Sequence, residues 1–411
     1  MSPGILFRML AGHLRSGATG LLLSVLLLLA GCGGTYVAPP PAAQAAQSNP
    51  VGAQAALNTL VRDVRDEHAT GQGLDATLTA NARALRVSGF TARYISDEGG
   101  VAANGSWPAQ VDITWRFGGF DASTAHETVT ATFTSGARSG SAANGRSVGI
   151  SSFGGGDQRV PLWLTGPLTV RRSSDTLVVV AGNAREAAQY VRLAANAVAT
   201  VRRVVSWPRP RLVIEVPASE ADLEQELQVT QGSYSGVAAV TATDDGTAGH
   251  SSPVHVFVNP EAIGSLTTTG AQVVLSHEAT HAATNAVGSS NLPEWLLEGF
   301  ADYVALRNVP LPLSVTARQI RAEVRAHGAP MHLPGPAQFN DQADDFGAEY
   351  EAAWLACRTL SDLTGEHRLV ELYDRVRDGA PVDSTMRSLD GFGVSHLTAV
   401  WQQRLRDLAG R

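Results

Sequence analysis

Two histidines stand four residues apart, with a glutamate beside the first, in the run His277-Glu278-Ala279-Thr280-His281; Glu298-Gly299-Phe300-Ala301-Asp302-Tyr303 follows. Imidazole nitrogens and carboxylate oxygens are ligands that zinc takes. On an α-helix four residues subtend about 400°, so His277 and His281 project from one face a turn apart and can reach one ion together. Glu278 is placed to hold and deprotonate a metal-bound water, the general-base task of a hydrolytic zinc site.

Such a site needs two helices to position it. Val273, Val274, Ala283 and Val287 supply the apolar positions of a first, amphipathic helix, and Gly288 is its expected stop. A second helix is expected to begin near Pro293, a residue suited to a first turn. It carries Glu298, sixteen residues intervening after His281. A short connection lets the helices fold back antiparallel, so that Glu298 supplies a third ligand and leaves a fourth position for water. Glu294 lies one turn earlier on the same face and competes for this role, and Asp302 is a third choice. Glu298 is preferred because it precedes the Gly-Phe-Ala-Asp context.

On these residues the chain resembles the gluzincin metallopeptidases, and among them bacterial proteins with a peptidase-MA-like domain. The resemblance runs from about Asn183 to the C-terminus and is strongest over Val273–Val304. It implies a zincin-like, thermolysin-like fold with a small mixed sheet and a helical C-terminal half. It also implies zinc on His277, His281 and Glu298, with Glu278 as base. Asp302 matches the family's aspartate four residues beyond the third ligand, which hydrogen-bonds a ligand histidine and fixes its tautomer. Gly299 would allow close helix packing. Residues Ala282 to Gly288 supply neither the glycine nor the third histidine of a metzincin.

The N-terminal end speaks of compartment. Arg8 and Arg15 accompany an apolar run, Leu21 to Leu29, that closes on Leu29-Ala30-Gly31-Cys32. This resembles a bacterial lipoprotein signal over residues 1–31, with Cys32 lipid-modified and the protein held on the extracytoplasmic face of the cell membrane. Residues 32–50, rich in Pro, Ala and Gln, read as a flexible tether. With Cys32 acylated, Cys357 has no partner for a disulfide, and its helical, apolar surroundings suit a buried thiol better than a nucleophile.

All 31 basic residues are arginine, so lysine chemistry, whether Schiff base or P-loop, is excluded. A net charge of −7 without a basic cluster argues against a nucleic-acid partner. A chain of 411 residues, 44% of them hydrophobic, can bury two cores. The expected fold class is α+β in two domains, at residues 51–182 and 183–411.

In the first domain Leu57, Leu60, Val61 and Val64 mark a helix from Ala53 to His68. Period-two alternation marks strands over Val111–Phe117, Thr128–Phe133 and, less cleanly, Leu162–Val170, and Leu177–Val180 is a short buried run. In outline this module is similar to NTF2-like or cystatin-like domains. Trp107, Trp115 and Trp163 are expected in the core or at its rim. Asn183 caps a helix through Val205, after which come a strand at Arg211–Val216, a helix at Ser219–Leu227, and strands at Gly236–Ala242 and Val254–Val258. Asp244-Asp245 lacks EF-hand spacing and reads as a turn. The gluzincin resemblance makes Val254–Asn259 the cleft-lining edge strand, to which an extended peptide could add; an interior strand is the alternative. His255 alternates away from the valines, either into the cleft or into a structural role. For the oxyanion of a tetrahedral intermediate, Tyr350, His332 and His327 are the candidates.

The expectation is therefore a lipid-anchored zinc metallopeptidase acting on protein or peptide substrates. The competing class is a surface-binding lipoprotein with a structural or idle zinc site, against which the intact Glu278 counts. A serine hydrolase is not expected, on the reading that no Gly-x-Ser-x-Gly elbow is present.

Overall fold

The computed structural model describes residues 47–69, 73–136, 147–247, 251–287, 289–339 and 346–410. The expected signal, most of the tether and Cys32 lie outside the described residues. The fold is α+β with two sheets, one four-stranded and antiparallel and one five-stranded and mixed.

The first unit opens on α1 (Pro50–Arg65), where Pro50 sits in the first turn and the Asn49 side chain accepts from the Gly52 amide. Its Ala53, Leu57, Leu60 and Val64 are buried, as their spacing demands. A second helix, α2 (Leu74–Leu85), was not expected. Its Leu78, Ala82 and Leu85 keep helical spacing, and it stops at Arg86 in the left-handed conformation. Four strands then form a meander: β1 (Val87–Asp97), β2 (Ser106–Phe117), β3 (Ala125–Gly136) and β4 (Ser147–Phe153). Along β2 every second residue from Trp107 to Phe117 is buried, so one face of the sheet closes over α1 and α2. Trp163 joins this core.

The alternating strand expected over Leu162–Val170 is not formed. Leu162–Leu164 is a turn of 3-10 helix with all three side chains buried, and Gly166-Pro167 separates it from β5 (Thr169–Arg172). β5 pairs antiparallel with β6 (Thr176–Val180), which leads through α3 (Ala184–Val201) into β7 (Leu212–Val216). α3 carries a full capping box, Asn183 with Glu186, and ends at Val201 instead of Val205. After α4 (Glu220–Leu227), capped by Ser219, come β8 (Ala239–Thr243) and β9 (Val254–Val258). The sheet order is β5-β6-β7-β9-β8.

This order revises two expectations. β5 and β6 belong to the second sheet, so a cut after residue 182 separates two strands from the sheet they help to build. The central strands are apolar on both faces: Leu177, Val179 and Val213 face the first unit's core, whereas Val178, Val180, Leu212, Ile214 and Val216 face α3 and the helices beyond. Both cores therefore share one sheet. Moreover, β9 lies inside, the alternative left open for Val254–Val258, and β8 is the edge, so the cleft-lining edge that the resemblance implied at Val254–Asn259 is displaced by one strand.

The remainder is helical: α5 (Pro260–Gly264), α6 (Thr268–Thr284), α7 (Glu294–Leu306), α8 (Leu313–Thr316), α9 (Arg318–His327), α10 (Phe346–Thr364), α11 (Glu366–Arg377), α12 (Val382–Asp390) and α13 (Val394–Ala409). Among the described residues no helix is long and apolar enough to cross a membrane. α6 packs on α3 and α7, and α7 packs on α10. The last contact is made possible by Gly299, where a Cβ would lie 2.3 Å from the Ala353 carbonyl oxygen and 3.0 Å from the Cys357 sulfur. Cys357 is free and wholly buried there.

Candidate metal centre

α6 begins where the Thr267 hydroxyl accepts from the Gly270 amide, and it ends at Asn285, left-handed at φ 50°. Asparagine is one of the few side chains to tolerate that conformation, and it stops the helix before Gly288, which lies outside the described residues. Ala271, Leu275 and Ala279 anchor the helix in the core, while Val273 and Val274 are half-buried along a cleft. His277, Glu278 and His281 lie on this cleft side, each about nine-tenths buried.

α7 brings Glu298 to the two histidines. His277 Nε2 stands 3.1 Å from His281 Nε2 and 3.1 Å from Glu298 Oε2, and His281 Nε2 stands 3.5 Å from the same oxygen. These three donor atoms form a group able to hold a metal ion. One helical turn beyond Glu298, Asp302 Oδ1 lies 2.8 Å from His277 Nδ1. With that nitrogen donating to Asp302, Nε2 is the His277 atom turned to the carboxylate and to its fellow histidine, and a cation held among the three would replace the proton that Nε2 shares with Glu298.

The electrostatics agree with a site built for positive charge. Burial disfavours protonation of His277, but the Asp302, Glu298 and Glu278 carboxylates outweigh it and hold its pKa well above the ordinary histidine value. Burial likewise pushes Glu298 toward the neutral acid, and the two histidines reverse that, lowering its pKa well below the usual carboxylate range. Glu294, the competing carboxylate, is half-buried and does not join the donor group; burial, then repulsion from Glu298, raises its pKa.

The cleft over these residues has a volume of about 350 Å³. It is lined by residues 236–238 and the start of β8 (Ala239 to Thr241), with Leu266 and Tyr234, by Tyr350 of α10, and by His277, Glu278, His281, Glu298 and Asp302. The Tyr350 ring centroid is 5.9 Å from that of His277 and meets Phe339 edge-on at 5.0 Å. Burial and the surrounding carboxylates raise the Tyr350 phenol well above its usual pKa, so it stays a hydrogen-bond donor. The other two oxyanion candidates are elsewhere: His327 is exposed and paired with Glu323, and His332 is exposed.

His255 does not face the cleft. It projects from the opposite face of β9, wholly buried, stacked on Phe117 with centroids 5.3 Å apart. Its Nε2 is 3.0 Å from Asp121 Oδ1 and its Nδ1 2.6 Å from Glu215 Oε1, with Asp244 Oδ1 at 3.6 Å. Burial opposes protonation of the ring, yet Asp244, Asp121 and Glu215 raise its pKa well above normal, so it is an imidazolium donating to two carboxylates. Asp121, Asp244 and His255 are a second group close enough to share a metal, but here both ring nitrogens are already taken by carboxylates. Asp244 is thus more than a turn residue: it accepts from Trp115 Nε1 at 2.7 Å and ties the two sheets together.

Two features escaped sequence reasoning. Thr241 donates its hydroxyl to Glu278 Oε2 at 2.6 Å, across 37 residues, with no spacing to signal it. Gly145-Arg146-Ser147-Val148-Gly149 does spell Gly-x-Ser-x-Gly, contrary to the expectation that no elbow is present. Ser147, however, is exposed at the start of edge strand β4, opposite Gly136, and no helix follows that strand directly as a nucleophile elbow requires.

No protein-family model matches the chain, and comparison with curated proteins finds no match.

Proposed function

We propose that the protein is a gluzincin-type zinc metallopeptidase with a zincin-like catalytic unit, anchored through a lipid on Cys32 at the extracytoplasmic face of the membrane. The observation that carries this reading is the convergence of His277, His281 and Glu298, with Asp302 behind one ring and Glu278 in the same cleft. Tetrahedral zinc with bonds of about 2.0–2.1 Å separates its ligands by roughly 3.3 Å. The three donor separations here are 3.1, 3.1 and 3.5 Å. Two nitrogens and one oxygen are also a catalytic, open donor set, whereas structural zinc sites fill all four positions from the protein.

Zinc bound there would supply Lewis acidity, polarising the scissile carbonyl and making water more acidic. The protein's own part starts with Glu278, which takes a proton from the attacking water and returns it to the leaving amine. Asp302 holds His277 in the tautomer that presents Nε2. Tyr350, which lines the cleft beside His277, donates to the oxyanion. The substrate is an extended peptide lying along the outer edge of β8.

The test is metal analysis of the purified protein beside its Glu278→Gln variant, both assayed on peptide and unfolded-protein pools. Glutamine keeps the size and much of the hydrogen bonding but cannot accept the proton. The variant should hold about one zinc per molecule while hydrolysis falls by about 10²–10⁴-fold. Undiminished hydrolysis by Glu278→Gln removes the mechanism. A zinc-loaded wild type that cuts nothing returns the chain to the binding class.

A further inference from the structure

We infer that Thr241, on the edge strand, is the positioning residue that holds Glu278 ready for proton transfer, an inference that rests on the peptidase reading above. Thr241 pairs in register with Val256, on the sheet face covered by α6. Its neighbours on that face, Val256, Val258 and Ala239, are apolar members of the core. Valine has almost the same shape as threonine, so packing alone gives no reason for a hydroxyl. What the hydroxyl meets is Glu278: the carboxylate Oε2 at 2.6 Å and the same residue's carbonyl oxygen at 3.0 Å. The shorter contact lies in the range of a charge-assisted O–H to carboxylate hydrogen bond.

The consequence is geometric. A glutamate side chain has three rotatable bonds, and a general base is effective only when its oxygen is held within hydrogen-bond reach of the proton it removes. Both Thr241 and Glu278 are more than nine-tenths buried, so water competes weakly for this bond. Thr241 fixes one carboxylate oxygen. Both residues line the cleft, so the carboxylate that Thr241 holds is presented there. Because Thr241 belongs to β8, the strand proposed to receive the peptide, the base and the substrate are set from one element and keep a common register. Thr241 touches neither metal donor nor reacting atom; it acts through Glu278.

The experiment uses the full chain and compares wild type, Thr241→Val, Thr241→Ser and Glu278→Gln for kcat, KM and zinc content. Thr241→Val is expected to lower kcat by roughly 10- to 100-fold, the scale of a misplaced catalytic group, with KM and zinc content unchanged. Thr241→Ser, which keeps the hydroxyl, should recover most of the loss. A second readout needs no activity: melting temperatures of the metal-free wild type, Thr241→Val, Glu278→Ala and the double variant. If the hydroxyl bonds the carboxylate, the double variant loses less than the sum of the single losses. Thr241→Ala replaces Thr241→Val in both measurements if the valine disturbs the strand. Additive melting losses overturn the inference. So does full turnover in the hydroxyl-less variant while Glu278→Gln is dead, which leaves the peptidase reading intact. A wild type that cuts nothing removes both.

Discussion

His255 and Asp121 are separated by 134 residues and meet at 3.0 Å inside the protein, one on the interior strand of the second sheet and the other just after β2 of the first. Around them Trp115 donates to Asp244, the His126 amide donates to Asp245, and Arg159 reaches the carbonyls of Leu227, Thr243 and Asp244. The N-terminal unit is therefore the floor under the sheet that carries the cleft, joined to it by buried ionic groups as well as by apolar contact.

A first prediction follows from that floor. A fragment beginning at residue 183 lacks β5 and β6 and exposes the face of β7 that Val213 presents to the first core. It should give no cooperative thermal transition, whereas the chain from residue 47 should. In the whole chain, Asp121→Ala leaves a buried imidazolium with one carboxylate fewer, and urea unfolding at neutral pH should show a loss of about 3–5 kcal/mol. A cooperative, native-like melt of the fragment would restore the boundary at 182.

The same cluster gives the protein a pH dependence. Burial, with Glu215 and Asp121 adding repulsion against the pull of His255, raises the Asp244 pKa to about 8. Burial and then Glu215 and Asp244 raise Glu226 well above normal, and His255 is raised as well. All three bind protons more tightly folded than unfolded. Their contribution is present in full below each unfolded pKa and is lost as pH rises through the folded one. Stability should therefore decline from about pH 4 toward pH 8 for Asp244, from about pH 4 upward for Glu226, and above about pH 6.5 for His255. Asp244→Asn mimics the neutral acid and can still accept from Trp115, so its melting temperature should fall less over that range. An identical slope in wild type and variant would place the proton elsewhere.

Much of this arrangement was legible in the sequence because local periodicity dictates it. The alternation from Val111 to Phe117, the cap at Asn183 and the four-residue spacing of His277 and His281 each express one element's own geometry. Strand order does not work this way. Nothing in Val254–Val258 tells whether another strand lies beyond it, so edge and interior exchanged places between β8 and β9. The helix α2 was hidden by its Thr and Asn residues, one of which, Asn81, turns inward to bond the carbonyls of Trp163 and Gly166. Likewise the partners of Glu278 and His255 are set by the sheet's assembly, which no spacing records.

Gly299 links helix packing to the candidate metal centre. With its would-be Cβ 2.3 Å from a backbone oxygen of α10, Gly299→Ala cannot be absorbed by a side-chain rotation and must move α7 away from α10. Overpacking of this kind costs typically 1–3 kcal/mol. Glu298 is the adjacent residue, so the displacement should weaken metal binding together with stability, whereas an alanine at an ordinary helix position would help. Titration with a competing chelator beside a thermal melt checks both. Unchanged metal affinity in a destabilised Gly299→Ala protein would mean that Glu298 does not follow the helix backbone.

The choice of carboxylate is settled by comparing Asp302→Ala with Glu294→Ala. Asp302 meets His277 through the nitrogen that faces away from the donor group, so its removal frees the ring to rotate and to take the wrong tautomer while all three donors remain. Metal affinity should fall by about 10- to 100-fold without vanishing. Glu294 contributes no donor atom, and its nearest effect on the centre is repulsion of Glu298. Glu294→Ala should leave affinity unchanged or slightly improved. His281→Ala, which deletes one of three donors, should lose most of the metal. If Glu294→Ala empties the site while Asp302→Ala keeps it full, Glu294 is the third ligand.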